Sequence, residues 1–137
     1  MRGNMVRREV GDRRGEGVTL NNLGSVYYVL GKQEESLLYY RQALDIKREI
    51  GDREGEGTTL YNIGLVYYGE NLYVVALSFF ILAQRIFVEV QSPDSGRVQE
   101  WIDGLRREIG DERFADLLKD VEPQAQQIVD KALRELE

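Results

Sequence analysis

The chain contains no cysteine and no histidine. Without cysteine, disulfides, thiol nucleophiles and thiolate metal sites are excluded; without histidine, the usual imidazole base and zinc ligand is missing. Proline is scarce, with two among 137 residues, so little interrupts helices. Long apolar runs are lacking too. The greasiest stretch, "LYVVALSFFILAQ" at residues 72–84, runs 13 residues without a charge, where a membrane-spanning helix needs about 20. Positive charge is in deficit: 18 Lys and Arg face 24 Asp and Glu, a net charge of −6. Residues 1–91 hold 11 basic and 12 acidic side chains (−1), and residues 92–137 hold 7 and 12 (−5). Phosphate binding needs a basic footprint, so this distribution opposes a nucleic-acid role. The start, "MRGNMVRREVGD", has no apolar core of a secretory signal, and a cytoplasmic protein is expected.

What is present is a repeat. "GDRRGEG" at Gly11 returns as "GDREGEG" at Gly51, and residues 11–50 align with 51–90 without a gap at 17 of 40 identical positions. Apolar residues recur at helical spacing in each copy: Leu20, Leu23, Tyr27 and Leu30, then Leu37, Tyr40, Ala43, Leu44 and Ile50. Each copy reads as two antiparallel helices joined by a tight turn at Gly31 or its counterpart. Gly11 and Gly51 are expected to be left-handed helix ends, and Asp12 and Asp52 the N-caps that follow. Gly15, Gly17, Gly55 and Gly57 then fall inside helices, where glycine survives when a neighbouring helix must approach closely. A phosphate-binding loop would require Lys followed by Ser or Thr after the glycines, and neither copy has it.

The residues inside the pairs carry a family resemblance. Leu20, Leu23, Gly24, Tyr27, Ser36, Tyr40 and Ala43, matched by Leu60, Ile63, Gly64, Tyr67, Ala76, Phe80 and Ala83, resemble the tetratricopeptide repeat. The period of 40 is similar to the long-repeat type of kinesin light chains, cell-polarity adaptors and many bacterial arrays. The resemblance implies an all-α, α-α superhelix in which the first helix of each pair lines a concave face that binds a peptide or protein segment. Carried onto this sequence, that face comprises Asn21, Asn22, Ser25 and Tyr28, then Tyr61, Asn62, Leu65 and Tyr68, with Val18, Val29, Thr58 and Gly69 beside them. Amides there can satisfy a peptide backbone, and tyrosines can cover its side chains at small entropic cost. The asparagines matching Asn22 and Asn62 hold the peptide backbone in long-repeat relatives; bridging between adjacent repeats is the alternative role. The residue set by which some relatives grip chaperone C-termini is not met: Asn21 and Ser25 stand at two of its positions.

The remaining features are weighed against plainer roles. Asp12/Glu16 and Asp52/Glu56 are carboxylate pairs at i and i+4, but a cap with acidic residues in the first turn accounts for them. No catalytic set, metal site or cofactor loop emerges, so no enzyme activity and no cofactor are expected. Where the first copy has "KQEES" at residues 32–36, the second has "LYVVA" at 72–76, and a helix apolar all round must be covered. Either the C-terminal residues cover it, or a second copy does, making Leu72, Tyr73, Val74, Val75 and Phe79 the interface of a homo-oligomer, most simply a dimer. That second possibility allows an alternative function, self-assembly without a separate ligand. The expected organisation is residues 1–12 as the tail of a preceding repeat helix, 13–50 and 51–91 as two repeats, and 92–137 as a C-terminal cap. The cap reads as three helices, over 97–109, 112–119 and 123–136, with Trp101, Ile102, Leu105, Ile109, Phe114, Leu117 and Leu118 on an apolar face.

Overall fold

A computed structural model describes the backbone of residues 2–136 and the side chains of residues 11–136. Seven α-helices follow one another: α1 (Arg2–Val29), α2 (Gln33–Glu49), α3 (Arg53–Gly69), α4 (Tyr73–Glu89), α5 (Ser95–Ile109), α6 (Asp111–Val121) and α7 (Ala125–Glu135). A 3₁₀ turn over Glu122–Gln124 holds Pro123 and leads into α7. No strand occurs among the described residues.

The punctuation between helices has a backbone cause. Gly31, Gly51, Asn71 and Gln91 lie twenty residues apart and all adopt left-handed φ, at +77°, +72°, +63° and +56°. After each, the next N–H reaches back to the helix: Lys32 to Tyr27 O, Asp52 to Lys47 O, Leu72 to Tyr67 O and Ser92 to Phe87 O, at 2.8–3.0 Å. These are Schellman-type ends, which satisfy carbonyls the helix leaves orphaned. Gly11 departs from the series. It lies within α1, which runs unbroken from Arg2 to Val29, so neither Gly11 nor Asp12 forms the turn and cap that the repeated phrase predicts.

The second copy of the phrase works as a junction. Asp52 caps α3, its Oδ1 accepting from the Gly55 N–H at 2.9 Å, and Lys47 lies 3.2 Å from Oδ2. Burial acts to raise the Asp52 carboxyl, but the Gly55 N–H and the Lys47 ammonium outweigh it and hold it below its ordinary value. Arg53 pairs with Glu89 and with Glu56, and the buried Glu56 also takes Arg48 of the preceding helix at 3.1 Å. Gly57 leaves room for Phe87, which would stand 2.8 Å from an added Cβ. In the first copy, Arg13 pairs with Glu49 and Glu16 in the same manner, and Gly17 admits Ile46. Gly15 has open space, so close packing does not explain it.

Helices pack in consecutive antiparallel pairs, α1 with α2 and α3 with α4, and α2 also packs on α3. Gly24 and Gly64 make the pairs tight: a Cβ would meet the Tyr40 ring at 2.5 Å and the Phe80 ring at 2.8 Å. The driving force is apolar burial. Leu44, Leu60, Ile63, Leu77, Phe79, Phe80 and Phe87 are sealed from solvent, each contributing about 1.5–3 kcal/mol relative to exposure. The largely apolar α4 is covered by α5, α6 and α7.

Candidate functional site

The helix ends keep a forty-residue register. α1, α3 and α5 end at residues 29, 69 and 109, forty residues apart, and Gly104 stands forty after Gly64. α5, expected to belong to a cap, ends in the same forty-residue register as α1 and α3. Contacts lay the three side by side. From α1 to α3, Asn21 Oδ1 accepts from Asn62 Nδ2 at 3.4 Å and from Thr59 Oγ1 at 3.5 Å. From α3 to α5, Trp101 packs edge-on against Tyr68, with ring centroids 5.2 Å apart, and Tyr68 donates to Glu108 at 2.8 Å.

The residues expected on the concave face divide by exposure. Asn22, Ser25 and Tyr28 are exposed, while Asn21, Asn62, Leu65 and Tyr68 are partly buried. Tyr61 is corrected: it is buried, close to Trp101, Arg97 and Glu100. Burial pushes its phenol up, partly countered by the indole of Trp101. Tyr61 thus supports the face and does not present itself on it. Asn62 bridges to the neighbouring repeat through Asn21, whereas Asn22, its counterpart, stands open. The Ser25 hydroxyl lies 2.8 Å from Tyr40 OH, which ties it to the floor of the first pair.

Two residues of this face escaped the sequence reading. Trp101 is 38% exposed, beside Tyr68. Glu108 accepts from the phenols of both Tyr68 and Tyr73, the latter at 3.0 Å. Their signal was positional: Trp101 and Glu108 fall forty residues after Tyr61 and Tyr68. Burial, and then the bond to Glu108, push the Tyr68 phenol up to about 12.

The expected oligomer surface is narrower than the sequence suggests. Leu72 and Val74 are exposed, and Tyr73 and Val75 are partly buried. Phe79 is corrected: it is fully buried, stacked on Tyr67 at 5.7 Å and packed beside Gly64, which leaves it no part in an outer surface. Asp52 and Glu56 are absorbed by the cap and by arginine pairs, and no group of metal-ligating residues is found among the described residues. None of their helices is long and apolar enough to cross a membrane.

Stacked helix pairs with their first helices aligned define a helical-repeat solenoid, a class that builds extended interaction surfaces. Residues 15–89, more than half of the chain, match the tetratricopeptide repeat, and the chain belongs to that family. Its repeats generally mediate protein–protein interaction and are generally not catalytic. No curated protein and no solved structure matches the chain.

Proposed function

We propose that the chain binds an extended segment of a partner protein along the face shared by α1, α3 and α5. The observation that supports this reading most is the line of groups across three helices: Asn22, Ser25 and Tyr28, then Asn62, Leu65 and Tyr68, then Trp101. Amides and hydroxyls at this spacing can pair with a peptide backbone, whose unmet donors and acceptors would otherwise cost binding energy. Rigid aromatic groups supply contact area at low entropic cost, and a peptide docked there requires no rearrangement of the helices. Asn22 serves as the open backbone contact, and Asn62 as both contact and inter-repeat brace. Glu108, held by two tyrosines, fixes the far wall and favours a donor at that end of the ligand.

Self-assembly through the second repeat has less support, because α5 to α7 already cover much of α4 and bury its large aromatic side chains Phe79, Phe80 and Phe87. Trp101 is the only tryptophan, so its fluorescence reports directly on the groove. A peptide selected from a random display library should shift that emission and bind more weakly to Asn22→Ala, with the melting temperature unchanged. Binding that leaves Trp101 emission unmoved and is indifferent to Asn22→Ala would refute the assignment.

A further inference from the structure

Where α3 turns into α4, beside the end of α5, polar groups converge with too few protons to serve them. Tyr68 donates to Glu108 Oε2 at 2.8 Å, and the Tyr73 hydroxyl lies 3.0 Å from both Glu108 Oε1 and Asn71 Oδ1. Two phenols bring two protons, and three acceptor oxygens share them. Glu108 is exposed and has no cationic partner among the described residues, so its charge is not cancelled. Arg107 lies close enough to act on the Tyr68 phenol, yet it forms no ion pair with Glu108. Open space adjoins these acceptors. Asn71 and Tyr73 form one wall of a recess of about 450 Å³, with Val74, Ile109 and Leu117 as its apolar lining. Arg113 and Asp116 complete it and offset each other in charge. Tyr68 packs on Tyr73 and on Trp101, at ring-centroid distances of 5.4 and 5.2 Å, so three aromatic rings are gathered beside the carboxylate.

We propose that this cluster seats the ammonium of a lysine side chain from the partner protein, with the lysine's four-carbon stem in the recess. The inference rests on the reading above, in which a partner segment runs along the face of α1, α3 and α5. An ammonium is a compact cation with three donors and no acceptor, which matches a site short of donors and carrying one unmatched negative charge. Arginine fits less well. Its planar fork pairs best with both oxygens of a carboxylate at once, and here each Glu108 oxygen already takes a phenol. The apolar stem covers Tyr73, Val74, Ile109 and Leu117 while the charged head stays at the polar edge, and the neighbouring rings add their own attraction for a cation. The net charge of −6 also draws a basic segment toward the chain.

Calorimetry on the whole chain tests this with peptides selected on it from a random display library. They are synthesised with acetylated N-termini, so that only side chains carry an ammonium. Peptides weakened by Asn22→Ala, the mark of binding on the face, should contain a lysine. Changing that lysine to norleucine, which keeps the stem and drops the charge, should weaken binding about tenfold, the loss expected for one hydrogen-bonded charge. Arginine at the same place should bind more weakly than lysine. On Glu108→Gln, which keeps the shape of an exposed side chain, the lysine and norleucine peptides should differ by less than about twofold. Circular dichroism of that variant should match the parent. Peptides that depend on Asn22 but lack lysine, or whose lysine and norleucine forms bind alike, overturn the inference and leave the face standing. So does arginine binding as tightly as lysine, or a lysine preference that survives Glu108→Gln. Peptides indifferent to both Asn22→Ala and Glu108→Gln overturn the lysine seat and the face together.

Discussion

The two repeats are written to one pattern and live in different surroundings. Ile63, Val66 and Phe79 of the second are dry, while Leu23 and Tyr39 are only partly buried and Val26 is exposed in the first. The aromatic pairs Tyr27–Tyr39 and Tyr67–Phe79 stack alike, at 5.2 and 5.7 Å, so the internal geometry is shared. What differs is the neighbour. The second repeat has α2 on one side and α5 to α7 on the other; among the described residues the first has the second and a single hydrogen bond from Arg41 to the Leu133 carbonyl of α7. In a solenoid the burial of a unit is decided by what is stacked on it, and stability is accordingly uneven along the chain.

The strongest way to break this comparison is to cut equivalent core side chains. Ile63→Ala should cost about 2–5 kcal/mol, and Leu23→Ala less than about half of that, because its site is already open to water. Chemical denaturation measures both, and equal losses would mean the first repeat is as well packed as the second.

The two "GD" phrases provide a sharper contrast. Gly51 is left-handed and Gly11 is helical. Gly51→Ala should therefore destabilise by about 1–2 kcal/mol, and Gly11→Ala should stabilise by about 0.5–1 kcal/mol. Thermal melting should separate them by sign; the same sign would place a turn at Gly11 after all. Asp52→Ala removes a cap and should cost about 0.5–2 kcal/mol, whereas the exposed Asp12, in the middle of α1, should be nearly silent to the same change.

The smallest effect is titration at the α3–α5 contact. Tyr68 ionises only at about 12, above the ordinary 10.0. A raised folded-state pKa adds stability that is whole below pH 10 and is lost as the pH climbs through 12. Ultraviolet titration should show tyrosine ionisation extending to high pH in the parent, and Glu108→Gln should draw its latest part to lower pH. Ionisation that stays in place would mean Glu108 does not hold Tyr68.

Most of the fold was legible because periodicity and turn residues act locally. The three helices from 33 to 89 follow from apolar spacing and from Gly31 and Gly51. Asn71 and Gln91, which take the same left-handed role, carry a weaker signal than glycine. The run through Gly11 was not legible: glycine permits the left-handed turn without compelling it, and nothing in the described side chains packs on Gly11 to enforce one. Asn22, Ser25 and Tyr28, expected on the face, are exposed. Tyr61, expected on that face, and Phe79, expected in an oligomer interface, are buried instead, because what buries them is non-local, Trp101 of α5 in one case and the packed α3–α4 pair in the other. The forty-residue offsets to Trp101, Gly104 and Glu108 were present in the sequence but lay in a segment whose second helix, α6, breaks the repeat.

The central claim, that α1, α3 and α5 form one ligand-binding face, is tested most directly by backbone amide NMR. The protein would be titrated with a peptide selected from a random display library. Shift changes should run along Asn22, Ser25, Tyr28, Asn62, Leu65, Tyr68 and Trp101, and leave the outer residues of α2 and α4 unmoved. Changes centred on α2, α4 or α7, with the first helices silent, would contradict the account.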